Sequence, residues 1–280
     1  MMNTHQNTVP ILIDRAALRR NRSRADRLGP VDFLHRLMAD EIEDRLAEIK
    51  RSFSRIAVVT GFAEFWSGVF PAARVVADEP ELDLLPGAYD LVIHAMALHW
   101  AEDPVGQIAQ CSRALQPDGL FIAACPGGRT LNELRDALTR AEAEVTGGLS
   151  PRVLPMGEIR DLGALMGRAG LALPVADQIA QNVSYRSLFH LAQDLRGMGE
   201  GNALNGRLRH PTRRKVLMRA AQIYAESHPD PADPDRVRAT FELVFLTGWS
   251  PDASQQKPLR PGSAKMPLAE ALRNMRKPQE

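Results

Sequence analysis

Two adjacent carboxylates, Asp78 and Glu79, follow one short apolar run, and a glycine, Gly61, closes another. A carboxylate at a strand end can accept paired hydrogen bonds from a ligand's hydroxyls. A glycine there lets a ligand approach the backbone, because no Cβ intervenes. His99 and Trp100 stand side by side after a third run: one ring can take a proton, the other can stack. Gly127 and Gly128 precede Thr130 and Arg135, where a helical pattern begins, and a helix start offers free N–H groups to a polar group. Asp194, Arg196, Met198, Gly199, Glu200 and Asn202 form a polar, glycine-rich segment between two helical patterns, a place where binding residues concentrate.

Each has a plainer reading. Gly61 is also an ordinary turn glycine, Asp78-Glu79 a solvated acidic turn, His99 and Trp100 loop packing, and the DLRGMGEGN segment a helix C-cap. The basic run Arg207, Arg209, His210, Arg213, Arg214 and Lys215 reads as a docking surface for an acidic protein or as a solvated face.

The elements that must hold these residues follow from hydrophobic period. Residues 14–28 and 32–53 read as helices, the second with Phe33, Leu37, Ile42, Leu46 and Ile49 on one face. Buried strands are expected at 56–60, 74–77, 89–97 and 120–125, with a helix at 104–115 and the turn Gln116-Pro117-Asp118-Gly119 before the fourth. Helices at 129–145, 158–169, 187–197 and 211–227, and strands at 171–185 and 240–247, complete the pattern. Strands alternating with helices predict a mostly parallel α/β sheet covered on both faces, with ligands at the carboxyl ends of the strands. The chain divides into an N-terminal helical cap (1–55), an α/β domain (56–250) and an extended tail (251–280) with a short helix at 267–275.

Composition narrows the class. The 280 residues are 44% hydrophobic and 25% charged, with a net charge of +1, so no global field draws the chain to nucleic acid or an anionic membrane. No apolar run is long enough for a transmembrane helix, and the polar start Met1 to Thr8 lacks the apolar stretch of a secretory signal. Residues 11–28 are Arg-rich like a mitochondrial presequence, but Asp14 and Asp26 argue against one, so a cytosolic location is expected. Cys111 and Cys125 lack metal-ligand spacing and read as core thiols in a reducing compartment; no metal site is expected.

From Tyr89, the string YDLVIHAMALHWAEDPVGQIAQCSRALQPDGLFIAACPGG resembles class I S-adenosylmethionine-dependent methyltransferases of the biotin- and ubiquinone-pathway type. IDRAALRRNRSRA, FLHRLMADEIEDRL, LNELRDAL, LSPRVLP, IRDLGALMGRAG, DLRGMGEGNAL, FLTGW and QQKPLRPGSAK are similar to bacterial relatives of the methyltransferase-like complex I assembly factors, a family that includes an arginine hydroxylase. The resemblance implies a Rossmann-like class I fold, S-adenosyl-L-methionine as cofactor and a protein partner such as a complex I subunit. It places Gly61, Asp78, Glu79, His99 and Trp100 around the cofactor and Gly127, Gly128, Thr130 and Arg135 around the acceptor.

Four departures stand out. Val59 replaces the family's strand-ending acidic residue, Phe65 replaces a turn glycine, and only Phe62 to Ala73 join Gly61 to the next strand. The segment ADEPELDLLPGAYDLV resembles the family's third-strand region, so one βα unit is expected to be missing. Arg129 stands where an acidic residue is common, a reversal of charge near the acceptor. Two readings follow: a methyltransferase acting on a protein or small molecule, or a non-catalytic module that keeps the fold and a partner surface. Nucleic-acid binding lacks the interleaved aromatic and basic residues it needs.

Overall fold

The computed structural model describes residues 11–256, so the tail helix expected at 267–275 lies outside the described residues. Two helices, α1 (Arg15–Leu28) and α2 (Phe33–Glu48), precede β1 (Ile56–Val59), α3 (Ala63–Val69), β2 (Arg74–Val76) and β3 (Tyr89–Ala95). A 3-10 turn at Leu98–Trp100 leads into α4 (Pro104–Ala114) and β4 (Leu115–Gly127). Then come α5 (Asn132–Thr146), α6 (Ile159–Arg168), β5 (Ala172–Tyr185), α7 (Leu188–Gly197), α8 (Arg214–Ser227), β6 (Pro229–Asp230) and β7 (Asp233–Trp249).

The sheet runs β2-β1-β3-β4-β7-β5, with β6 folded onto β7 as a hairpin. β2, β1, β3 and β4 are parallel, while β7 is antiparallel to both its neighbours. Alternation along each strand builds two cores. Val58, Leu91, Ile93 and Ala95 face one layer with Met38, Ile42, Ala137 and Tyr224 of α2, α5 and α8. Ala57, Val59 and Val92 face the other with Ile108 and Met166 of α4 and α6. This is the expected α/β sheet with helices on both faces.

In a doubly wound sheet of order 3-2-1-4-5-6, two strands lie beyond the first; here β2 alone does, and it is the edge. Among the described residues the sheet is therefore one βα unit short on that side. The segment likened to a third strand pairs directly with β1, Ala57 opposite Arg74 and Val59 opposite Val76. The link from Gly61 holds only a seven-residue helix, too short to carry the chain past an intervening strand. Asp78 thus follows the strand next to β1, where the ribose carboxylate of such a fold is sought.

Some boundaries differ from the periodic reading. α2 ends at Glu48 rather than 53. The Gln116–Gly119 turn is an irregularity inside β4: Asp118 takes φ 58° and its N–H donates to Ser250 O at 3.2 Å. β7 starts at Asp233, seven residues before the expected strand, because its polar start pairs with β6, Asp230 opposite Asp233, and then joins the ladder with β5 from Val237 opposite Tyr185. Pairing partners, not propensity, decide that stretch.

α1 positions the site. Asp14 caps it, accepting from Ala17 N at 2.9 Å, and its other oxygen accepts from Arg207 and Arg209, so two of the basic run are paired internally. Its apolar face carries Ala17 and Leu18 onto Trp100, Leu154 and Leu204. Arg15, Arg19 and Arg22, spaced i, i+4, i+7, share the face that meets the end of β2.

Candidate functional site

At the carboxyl ends of β1 and β2 the structure brings Gly61, Asp78 and Glu79 against α1. Arg22 Nη1 donates to Asp78 Oδ1 at 2.7 Å, with side chains only 8% and 4% exposed. Arg15 takes the other oxygen at 3.3 Å and the Asp78 carbonyl at 2.5 Å, and Arg19 pairs with Glu79 at 3.3 Å. The Arg22 guanidinium also lies 5.3 Å from the centroid of Phe62 and directly on Gly61, where an added Cβ would stand 2.0 Å from Nη1. Burial, the largest influence on Asp78, pushes its carboxyl pKa up; Arg22 and Arg15 outweigh it and hold the group below the usual carboxylate range. Arg22 Nε and Nη2 and Arg15 Nε are buried with no partner among the described residues.

His99 and Trp100 sit on the turn after β3 and converge on a residue of the glycine-rich segment. Trp100 Nε1 donates to Glu200 Oε2 at 2.7 Å, and His99 Nε2 lies 3.1 Å from the same oxygen. Glu200 Oε1 is buried and unpartnered. Burial again raises this carboxyl most, and His99, Arg22 and Trp100 overcome it, so the net direction is down and the group is ionised at neutral pH.

Beside this pair a cavity of about 190 Å³ opens between the ends of β3 and β4 and helices α5 and α7. Its walls are mostly apolar, with Met96, Trp100, Leu134, Leu195, Met198 and Phe241, and Glu200 and Thr130 are among its polar groups. Of the four residues expected at the acceptor, Thr130 alone lines it. The Thr130 hydroxyl donates to Gly127 O at 2.8 Å and accepts from Glu242 N at 2.9 Å, tying the loop to β7. Gly127 permits close approach to Val244, and Gly128, at φ +49°, leaves space for the Glu242 carboxylate. Arg129 pairs with Glu242 at 2.9 Å while 74% exposed, so its charge is neutralised at the loop's outer rim. Arg135 donates to Leu154 O at 3.1 Å, bracing the cavity's far wall.

Sequence reasoning singled out the acidic pair but missed its partners. The signal was present: arginines at 15, 19 and 22 repeat at helical spacing. Two buried histidines were also missed. His35 accepts from Trp66 Nε1 at 3.1 Å and burial pushes its pKa down to about 4; His94 bonds Gln107 at 2.7 Å and burial lowers it too. Both are neutral spacers beneath the site.

A family profile described as a methyltransferase domain matches residues 63–123. Arginine-hydroxylase NDUFAF5, mitochondrial, from Danio rerio is 39% identical over 201 residues, covering 71% of this chain and 61% of that protein. The Homo sapiens protein of the same name is 38% identical over 202 residues, covering 71% and 57%. The chain belongs to the class I methyltransferase family.

A second branch of this methyltransferase family also matches: malonyl-[acyl-carrier protein] O-methyltransferase from Laribacter hongkongensis is 33% identical over 190 residues, covering 68% of this chain and 61% of that one. The chain spans less than two thirds of the length of each of these relatives. S-adenosylmethionine is the cofactor of the methyltransferase family. With α1 docked, the residues present do not fit it: not even a methyl group has room between Gly61 and Arg22, and both oxygens of Asp78 are engaged.

Proposed function

We propose that this methyltransferase-family chain acts on a protein, taking one of its arginine side chains into the cavity beside Trp100 and Glu200. The observation that carries the reading is the free, buried oxygen of an ionised Glu200 in a mostly apolar wall, whose own cation, Arg152, is already paired with Glu142 at 2.7 Å. An arginine has the matching form, a hydrocarbon stem ending in a planar cation. Its stem would lie on Met96, Leu134 and Phe241, and Glu200 would accept from its guanidinium. The relatives named arginine-hydroxylase support this acceptor, and the likeness to complex I assembly factors makes a complex I subunit the proposed partner. The two buried free thiols support a reducing compartment, the cytosol. Among the described residues no helix is long and apolar enough to cross a membrane.

A second reading, a partner-binding module without turnover, is favoured by the Arg22–Asp78 pair, which fills the cofactor's place. Both readings share the arginine pocket, and one titration tests it. N-acetyl-arginine amide is expected to bind about tenfold more tightly than its citrulline counterpart, since one charge-assisted hydrogen bond separates them. Glu200→Gln should erase that preference. Equal affinity for the two probes in the unaltered protein would sink the proposal.

A further inference from the structure

We infer that α1 and the cofactor compete for one place: Arg22 stands in it, and cofactor entry requires α1 to undock. This goes beyond the arginine pocket and concerns the opposite side of the Glu200 segment.

Three observations carry the inference. The first is position. Arg22 spans from Gly61, at the end of β1, to Asp78, after β2, the crevice in which a sheet of this class takes its ligand. Its charge replaces what a ligand's hydroxyls would offer to Asp78.

The second is incompleteness. A permanent structural pair would be expected to satisfy its buried donors, yet Arg22 leaves Nε and Nη2 unmatched and Arg15 leaves Nε. The contact is strong at one atom and poor at the others, as suits a pair that is made and broken. Space already adjoins it: Gly61 also borders a cavity of about 410 Å³ with Val31, His35, Phe62 and Phe65.

The third is the attachment of α1. Only Ala17, Leu18, Arg22 and Ala25 of its fourteen residues are buried, so few apolar contacts hold it. It joins α2 through Gly29, at φ +93° with open space around it, and Pro30, a joint able to swing without moving α2. At the other side a Cβ on Gly199 would lie 3.1 Å from the Arg22 Cα, so α1 also presses on the segment that presents Glu200. Departure of α1 would therefore be felt at both ends of the site.

The test is calorimetric titration of the full chain with S-adenosylhomocysteine, comparing the unaltered protein with Arg22→Ala and, as a control on the exposed face of the same helix, Arg20→Ala. Arg22→Ala should bind at least about tenfold more tightly, and Arg20→Ala should match the unaltered protein. Equal or weaker binding by Arg22→Ala would overturn the inference, because Arg22 would then be neutral or itself a cofactor ligand. Should Arg22→Ala fail to fold, Arg22→Met loosens the same pair and leaves the Asp78 carboxylate free for a ligand, and the same gain is expected. Hydrogen exchange gives a second readout: in protein saturated with S-adenosylhomocysteine, α1 amides should lose protection, and unchanged or greater protection contradicts competition. No binding to the unaltered protein or to any folded variant at millimolar ligand also overturns it, while leaving the arginine pocket, probed at Glu200, untouched.

Discussion

The two ends of the site have been treated in opposite ways. Around Gly61 and Asp78, charge from α1 has filled the crevice, and a buried ion pair stands where a ligand would be held. Around Trp100 and Glu200, a carboxylate is equally buried, yet one oxygen is left free and the wall beside it is open. A buried carboxylate must be met by a cation or by several donors. At Asp78 the chain places two guanidinium groups on the carboxylate itself; at Glu200 it places the Trp100 and His99 rings on one oxygen and leaves the other without a partner. The difference teaches that architecture alone does not tell which pocket of such a fold is receptive; the accounting of partners does.

The sharpest way to break the comparison is Arg22→Ala. Removing one partner of a buried pair should cost about 4 kcal/mol, and pairing it with Asp78→Asn should restore much of that, read by urea denaturation. A loss as small as that of a surface charge would mean that the crevice is wet and the pair weak.

Acid titration separates the burial around the crevice from bulk charge effects. His35, held neutral with its pKa near 4, contributes stability that is fully present above the unfolded value near 6.5 and declines as pH falls from there toward 4. The decline should reach about 3 kcal/mol, and His35→Gln, which keeps an acceptor for Trp66, should flatten it. Asp78 adds a further loss below about pH 4, as its depressed carboxyl is protonated. Melting temperatures across this range would reveal both steps.

Gly61→Ala sharpens the contrast more gently. Its methyl meets Arg22 within the contact distance, so a cost of about 2 kcal/mol is expected, and the cost should vanish in an Arg22→Ala background. Additive losses in the double variant would show that the two residues do not share the space. Trp100→Phe is the smallest change: it removes one donor from Glu200 but leaves His99, for a loss of about 1 kcal/mol in the same denaturation assay.

Much of this was legible in the sequence. Runs such as IAVVT and YDLVIHA declare buried strands by composition, and the brevity of Phe62–Ala73 already announced a lost βα unit. What stayed hidden was long-range. Glu200 looked like a capping residue because its partners lie 100 and 101 positions away. The acidic pair looked solvated because the arginines of α1 had been weighed only as a presequence-like run, set aside on account of Asp14 and Asp26, and not as counter-charge. Glu242 gave no sign at all: its role rests on the register that sets it opposite Gly127. Local patterns predict elements, while charge pairing across the sheet needs the topology first.

That topology also orders events during synthesis. β7 inserts between β4 and β5, so Leu120 waits for Trp249 and Ala172 waits for the same residue. Until β7 leaves the ribosome, β4 exposes an apolar edge of unpaired amides and β5 lacks its neighbour in the sheet. A nascent chain carrying such an edge through more than a hundred residues of translation is a natural client for chaperones, and truncations that remove β7 should aggregate rather than fold.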